Sequence, residues 1–504
     1  MSKRKNILLI TSDQQHWATL GAMNPEIKTP NLDRLAKSGT LFTRAYCPNP
    51  TCTPSRASII TGMYPSQHGA YSLGTKLPET VPTIGDELHQ HGYRTCLIGK
   101  AHFQQLLDTP QYRSIESNPL QNNLDFWRDF NGPFYGFDHI ELVRNHADEY
   151  HVGQHYALWL EEQGISDWRK SFLAPGGTGQ EHQQYSWDLP EKYHYNSWIA
   201  ERTNAMLDEY STNGDHFMLW ASFPDPHPPY LVPEPWDSMY NPEELTLPSM
   251  HSDEDFSNMP PQYAMTQQEH PDEKFYAEPD GNYVHGLLSH LKDKKTIAKD
   301  LAVYYGMVSM MDKYIGKILD KLDELGLTDD TLIVFTTDHG HFSGQHGLTA
   351  KCIFNYEDLQ KIPFMVSGPG VPAGKTNPAM QSLVDLAPTF LNYCGIEIPR
   401  CMTGVNQQSV WLGESLAARD HVMVENHHQP TTFNTKTYIN ERYKISIYYN
   451  QPYGELFDLQ QDPGEIYNLW DSPEQQELKK ELLLKLIHAE MGNEPILMPR
   501  VSAA

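Results

Sequence analysis

Short, unbroken apolar runs recur along the chain, and each closes on a polar or charged residue. Ile7-Leu8-Leu9-Ile10 runs into Thr11-Ser12-Asp13, Tyr93–Ile98 into Gly99-Lys100, Phe217–Phe223 into Pro224-Asp225, and Thr331–Thr337 into Asp338-His339-Gly340. Runs this short with no helical period predict strands buried on both faces, as in a parallel sheet. Ile362–Val366 reads as another strand. Between them, Asn31–Ser38 and Lys294–Leu325 have helical spacing. In the longer one, Leu301, Tyr304, Tyr305, Val308, Met311, Ile315, Ile318 and Leu322 form one apolar stripe, which predicts a face packed on the sheet. The expected fold is α/β, a large mixed but mostly parallel sheet sandwiched by helices.

From about residue 416 the pattern changes. His421–Asn426, Lys436–Asn440 and Tyr443–Tyr449 predict short antiparallel strands, and Glu477–Met491 an amphipathic helix. The expected division is a large N-terminal domain over 1–415 and a smaller α+β unit over 416–504. Two stretches, about 104–195 and 231–292, are rich in Trp, Tyr, His and Pro and have few apolar runs. They read as insertions over the sheet that shape a pocket. Trp127, Trp159, Trp168, Trp187 and Trp236 either stack on a ligand or pack the insertions onto the domain.

Composition narrows the class. The 504 residues carry a net charge of −26, which argues against nucleic acid and anionic membranes as partners. No apolar run approaches the ~18 residues that span a bilayer. The run behind Ser2-Lys3-Arg4-Lys5 is too short for a signal peptide, so a cytoplasmic protein is expected, or a periplasmic one if a leader has been removed. The 6 cysteines are irregularly spaced and suggest no disulfide framework.

Only Cys52 has a telling context, Cys52-Thr53-Pro54-Ser55-Arg56, with Gly62 six residues beyond Arg56. Pro54 suits the first turn of a helix and Gly62 its end. Cys52 then lies at a helix N-terminus, where free N–H groups favour an anion. Arg56 is one turn on, on the same face. Strand-end carboxylates are well placed to hold a hard cation. Asp13 and Asp338 qualify, although Asp13 alone equally fits a helix cap. His339, His341 and His346 are further candidate ligands, and a zinc phosphatase site is the competing idea.

Together these segments resemble the type I sulfatases of the alkaline phosphatase superfamily. Cys-x-Pro-x-Arg is that family's signature, and it implies oxidation of Cys52 to formylglycine by a formylglycine-generating enzyme. Gly99-Lys100-Ala101-His102 resembles the family's Gly-Lys-x-His, His227 its leaving-group histidine and Lys351 its second sulfate-binding lysine. Glu455–Leu459 and Asp462-Pro463-Gly464-Glu465 resemble its C-terminal signature. The resemblance implies an alkaline phosphatase-like fold and a cation held by Asp13, Gln14, Cys52, Asp338 and His339, calcium first with magnesium or manganese as alternatives. It implies catalytic roles for Cys52, Arg56, Lys100, His102, His227 and Lys351, with His227 as general acid and His102 as base.

Two features depart from the commoner pattern. Asp13-Gln14 stands where two acids are usual, and Asp338-His339 where Asn often follows Asp. Both resemble choline sulfatases and phosphonate monoester hydrolases. The expected activity is release of sulfate from a sulfated carbohydrate. Choline-O-sulfate, an aryl sulfate, a phosphonate monoester or a phosphodiester is the alternative. Members of the superfamily often assemble as dimers or tetramers, so a homo-oligomer is among the expectations.

Overall fold

The apolar runs become the centre of a nine-stranded sheet in the computed structural model. It describes residues 5–144, 151–172, 185–249, 256–278, 286–351, 353–429 and 432–502. Parts of both insertions, and Cys352, lie outside the described residues. With strands numbered in chain order, the sheet runs β10 (Lys375–Asn377), β2 (Thr40–Tyr46), β9 (Lys361–Ser367), β6 (Thr331–Thr337), β1 (Asn6–Ser12), β5 (Phe217–Ser222), β3 (Arg94–Gly99) and β4 (His139–Leu142). A short β11 (Gln381–Ser382) lies beside β2. β9 pairs antiparallel with both β2 and β6, and the other pairings are parallel.

Alternate residues of each central strand enter different cores. Leu8, Ile10, Leu219, Ala221, Ile333 and Phe335 face one cluster, while Ile7, Leu9, Met218, Trp220, Leu332 and Val334 face the other. That two-sided burial is why these strands read as continuous apolar runs. The first face is covered by the helices Lys294–Glu324, Pro30–Ser38 and Tyr195–Asn213. The second is covered by Cys52–Thr61, Ile84–Gln90 and Leu386–Tyr393. Trp127, Trp159, Trp168 and Trp187 are buried in these cores, so packing the insertions is their role, and Trp236 is half-buried under Lys313.

A hairpin of β7 (Phe342–Ser343) and β8 (Thr349–Ala350) follows β6. The chain ends with an antiparallel sheet, β12 (His421–His427), β13 (Asn434–Asn440), β14 (Tyr443–Tyr448) and β15 (Gly454–Asp458), and the helix Gln476–Gly492. The sequence predicted three of these strands. The fourth, β15, holds Glu455–Asp458 of that signature and is fully buried. Buried polar groups join the small sheet to segments that precede it in the chain. Glu455 accepts from Tyr263 and Asn355 at 3.1 Å each, and Lys444 Nζ donates to the Asn355 carbonyl at 2.5 Å. No helix among the described residues is long and apolar enough to cross a membrane.

Gly99 ends β3 at φ 109°, and a Cβ there would stand 1.9 Å from the Ser222 carbonyl oxygen. The same carbonyl accepts the Lys100 N–H at 2.9 Å. Gly99→Ala therefore forces β3 and β5 apart where the next residue must be placed. We expect it to lower unfolding free energy by about 2–4 kcal/mol, from overpacking plus positive φ. A urea midpoint unchanged from the parent would show that the strands separate freely.

Candidate active site

The carboxyl ends of β1, β3, β5 and β6 point to one side of the sheet, and the candidate residues follow them directly. Asp13 follows β1, Lys100 follows β3, His227 lies beyond β5, and Asp338-His339 follows β6. Cys52 is the first residue of its helix, whose N-cap Thr51 has no side-chain cap, and Gly62 ends it at φ 63°. All ten residues of that helix are buried. Cys52 Sγ lies 2.9 Å from Lys351 Nζ, 3.3 Å from His339 Nε2 and 3.6 Å from Asp13 Oδ1.

Four residues fit a divalent cation. Asp13, Cys52, Asp338 and His339 each offer a ligand atom within 4.8 Å of the others. His339 Nδ1 donates to the Gly340 carbonyl at 2.9 Å, so Nε2 carries the lone pair that faces Cys52 and Asp13. Burial pushes His339 down to about 4, which keeps it neutral as a ligand must be. Gln14 Oε1 is buried and accepts no hydrogen bond among the described residues, an orphan that a cation would satisfy.

The positive groups surround the acids. Arg56 Nε donates to Asp338 Oδ2 at 2.8 Å, and its Nη2 is 3.6 Å from Asp13 Oδ2. Nη1 donates to the Lys100 carbonyl and to Ser222 Oγ, at 2.8 Å each. Lys100 Nζ pairs with Asp13. Burial would raise the Asp13 pKa, but Lys100, then His227, Arg56 and Lys351, hold it well below the usual carboxylate value. Burial, then Asp13, push the Cys52 thiol up despite Lys351 and Lys100.

Lys351 is the hub on the open side, donating to Cys52 Sγ and, at 3.0 Å, to His227 Nε2. His227 Nδ1 donates to the Pro228 carbonyl at 2.5 Å, which leaves Nε2 as the acceptor. His227 is half-buried, while Cys52, His339 and Asp13 are sealed. Burial, then the Lys351 ammonium, push its pKa well below the ordinary imidazole value.

The sequence-predicted residues are thus brought together, with differences of detail. Arg56 spends its described hydrogen bonds on Asp338, Ser222 and the Lys100 carbonyl rather than on Cys52. His102 makes no described hydrogen bond to the cluster, and its Nδ1 is buried with no hydrogen-bond partner among the described residues. His341 and His346 stay outside the ligand group. His341 bonds to Gln14 and Tyr230, and His346 stacks on Tyr356 at 3.7 Å. Gly340 is needed for close approach, since a Cβ would stand 2.3 Å from the Asp358 carbonyl oxygen.

Sequence reasoning missed Ser222, Asp225 and Glu116. The Asp225 carbonyl accepts the Asp13 N–H at 3.0 Å. Glu116 accepts the N–H groups of His102, Phe103 and Gln104 at 2.7, 2.8 and 2.8 Å. A small hydroxyl at a strand end marks Ser222, but nothing marks a lone Glu in a loop.

Comparison with known proteins agrees with this geometry. The sulfatase family profile matches residues 5–396, and that of the N-sulphoglucosamine sulphohydrolase C-terminal region matches residues 344–491. An arylsulfatase of Clostridium perfringens is 28% identical, covering 97% of this chain and 96% of its own. An N-acetylglucosamine-6-O-sulfatase of Bacteroides thetaiotaomicron is 27% identical, covering 96% of this chain and 85% of its own. In three dimensions the phosphonate monoester hydrolase of Agrobacterium radiobacter superposes with a TM-score of 0.77 at 22% identity, covering 99% and 98% of the two chains. With the profile spanning most of its length and an alkaline phosphatase-like sheet beneath the site, the chain belongs to the sulfatase family of sulfuric ester hydrolases.

Proposed function

We propose that this sulfatase releases inorganic sulfate from a sulfated carbohydrate, with residue 52 in its formylglycine form. A divalent cation would be held by Asp13, Gln14, Asp338, His339 and residue 52, calcium first with magnesium or manganese as alternatives. The observation that carries the reading is the position of Cys52, sealed at a helix N-terminus against Lys351, His339 and Asp13. Its thiol is held protonated there, so an unmodified cysteine is poorly suited to act as nucleophile. The hydrated aldehyde supplies one hydroxyl to attack sulfur and a second whose deprotonation expels sulfate. When bound, the cation would supply positive charge to the sulfuryl oxygens.

The chain's own residues supply the rest. Lys351 and the Lys100–Arg56 pair surround the sulfuryl position with positive charge on buried side chains, where such charge is strongest. The leaving alcohol comes out past half-buried His227. His227 Nε2 accepts from Lys351 at rest, so the departing oxygen's proton resides on Lys351 and passes to it from that pair. His102 also lies near the cations, and burial, then Arg144 and Lys100, push its pKa well below the ordinary value. Its Nδ1, with no hydrogen bond among the described residues, is the group we assign to deprotonation of the second hydroxyl.

Carbohydrate as the substrate class rests on the long insertions and on the N-acetylglucosamine-6-O-sulfatase relative. Phosphonate monoester hydrolysis is the second reading. It is favoured by Asp13-Gln14, by Asp338-His339-Gly340 and by the phosphonate monoester hydrolase likeness. Sulfate release from sulfated sugars, choline sulfate and aryl sulfates, measured beside phosphonate hydrolysis, tests the order. Fast phosphonate turnover with no sulfate released reverses it.

Two variants test the roles. Mass spectrometry of the peptide over 45–69, from a host with the maturation enzyme, is expected to show the aldehyde at position 52, and Cys52→Ser is expected to lose steady-state turnover. An active parent carrying an intact thiol sinks the formylglycine reading. His227→Asn is expected to lower kcat by about 10²–10⁴-fold on a sugar sulfate and by less on an aryl sulfate with an acidic leaving group. An equal loss on both would remove His227 from protonation of the leaving group.

A further inference from the structure

Gln14 raises a problem that a carboxylate does not. A carboxylate presents an oxygen whichever way it turns, whereas a carboxamide presents either an oxygen or an NH₂ group. Turned the wrong way, Gln14 would direct two N–H donors at the acids and the cation. Something must therefore fix its orientation.

The surroundings of Gln14 do so. Its Nε2 lies 2.9 Å from His341 Nδ1, and His341 Nε2 lies 2.8 Å from the Tyr230 hydroxyl. The imidazole is fully buried and stacks on Tyr304, with ring centroids 4.6 Å apart and planes 13° from parallel. The Tyr304 hydroxyl accepts the His16 N–H and donates to the Gln14 carbonyl, both at 2.9 Å. The Gln14 N–H donates to Asp338 Oδ1 at 3.0 Å, and φ at Gln14 is 59°. One tyrosine thus holds both the backbone of Gln14 and the ring beside its side chain. Gln14 Oε1, at the other end of the amide, is buried and accepts nothing among the described residues.

We propose that His341 and Tyr230 are positioning residues that lock the Gln14 carboxamide with its oxygen toward the cation. Nδ1 of a neutral ring accepts from the amide, and the Nε2–H donates to the Tyr230 hydroxyl. With the Tyr230 hydroxyl accepting from Nε2–H, Nδ1 must accept in turn, so the amide gives its NH₂ to the ring and turns its oxygen inward. Position 341 is then a support for the neutral ligand at position 14 rather than a ligand itself. The inference rests on the cation reading above.

The test is calorimetric titration of calcium chloride into chelator-treated full-length protein, with folding of each variant checked by circular dichroism. His341→Phe keeps the stack on Tyr304 and removes both ring nitrogens, and it is expected to weaken calcium binding by about 10–100-fold. Tyr230→Phe removes one oxygen and is expected to weaken it by several-fold. In a Gln14→Ala background both substitutions are expected to change the Kd by less than about twofold, because the group they orient is gone. In a Gln14→Glu background, whose two oxygens are equivalent, His341→Phe is expected to be equally silent. Parental affinity in His341→Phe and Tyr230→Phe, or the same loss with and without Gln14, overturns the proposal and leaves the cation reading intact. A parent protein that binds neither calcium, magnesium nor manganese overturns both.

Discussion

Asp13, Asp338, Arg56 and Lys100 are charged groups with no exposure to solvent. Moving one such ion alone from water into a protein interior costs several kcal/mol even after relaxation. The four coexist because each carboxylate meets a cation, Asp338 at Arg56 Nε and Asp13 at Lys100 Nζ, with Arg56 leaning toward both. Removing any one member strands its partner, a change that typically costs about 3–5 kcal/mol. The charges reach one another only if β1, β3 and β6 end in register, so sheet register and site chemistry form a single constraint. Gly99, with no side chain to hold the strands apart, is where the two meet most tightly.

The same dry environment sets the behaviour of the histidines. His102, His227 and His339 are all driven toward the neutral form, chiefly by burial. A neutral imidazole offers one lone pair and one N–H, and the backbone decides which faces inward. At His339 and His227 a neighbouring carbonyl accepts from Nδ1–H, so Nε2 turns to the site as an acceptor. Around His102, which has φ 58°, Glu116 collects three successive backbone N–H groups and pins the loop.

Much of this was legible in the sequence because a parallel strand writes itself as an apolar run and ends where the chemistry begins. Asp13, Lys100, Asp338 and His339 could be located that way, and Cys52 and Arg56 by their spacing on a helix. Hydrogen-bond partners could not. Arg56 was placed on the face of its helix that carries Cys52, yet its described hydrogen bonds go to residues that lie 44 to 282 positions away. His341, three residues beyond Asp338, looked like a ligand, because sequence distance does not reveal which way the chain turns after Gly340. The tryptophans of the insertions were ambiguous, since an aromatic-rich loop reads alike whether its rings face a ligand or a core. β15 was hidden in a motif, because only Leu456 and Phe457 of its five residues are apolar.

The order of the strands also has a consequence for how the molecule comes into being. β1 lies between β5 and β6, pairing Ile7 with Met218 and with Leu332. Its first partner is therefore synthesised some two hundred residues after it, and its second more than three hundred after. At translation rates of about 5–20 residues per second, a nascent β1 waits roughly 10–40 seconds for its first partner and roughly 15–65 seconds for its second. The residue that will anchor the acid cluster thus leaves the ribosome long before the strands that enclose it. Folding therefore depends on shielding one seven-residue segment until β6 has been made.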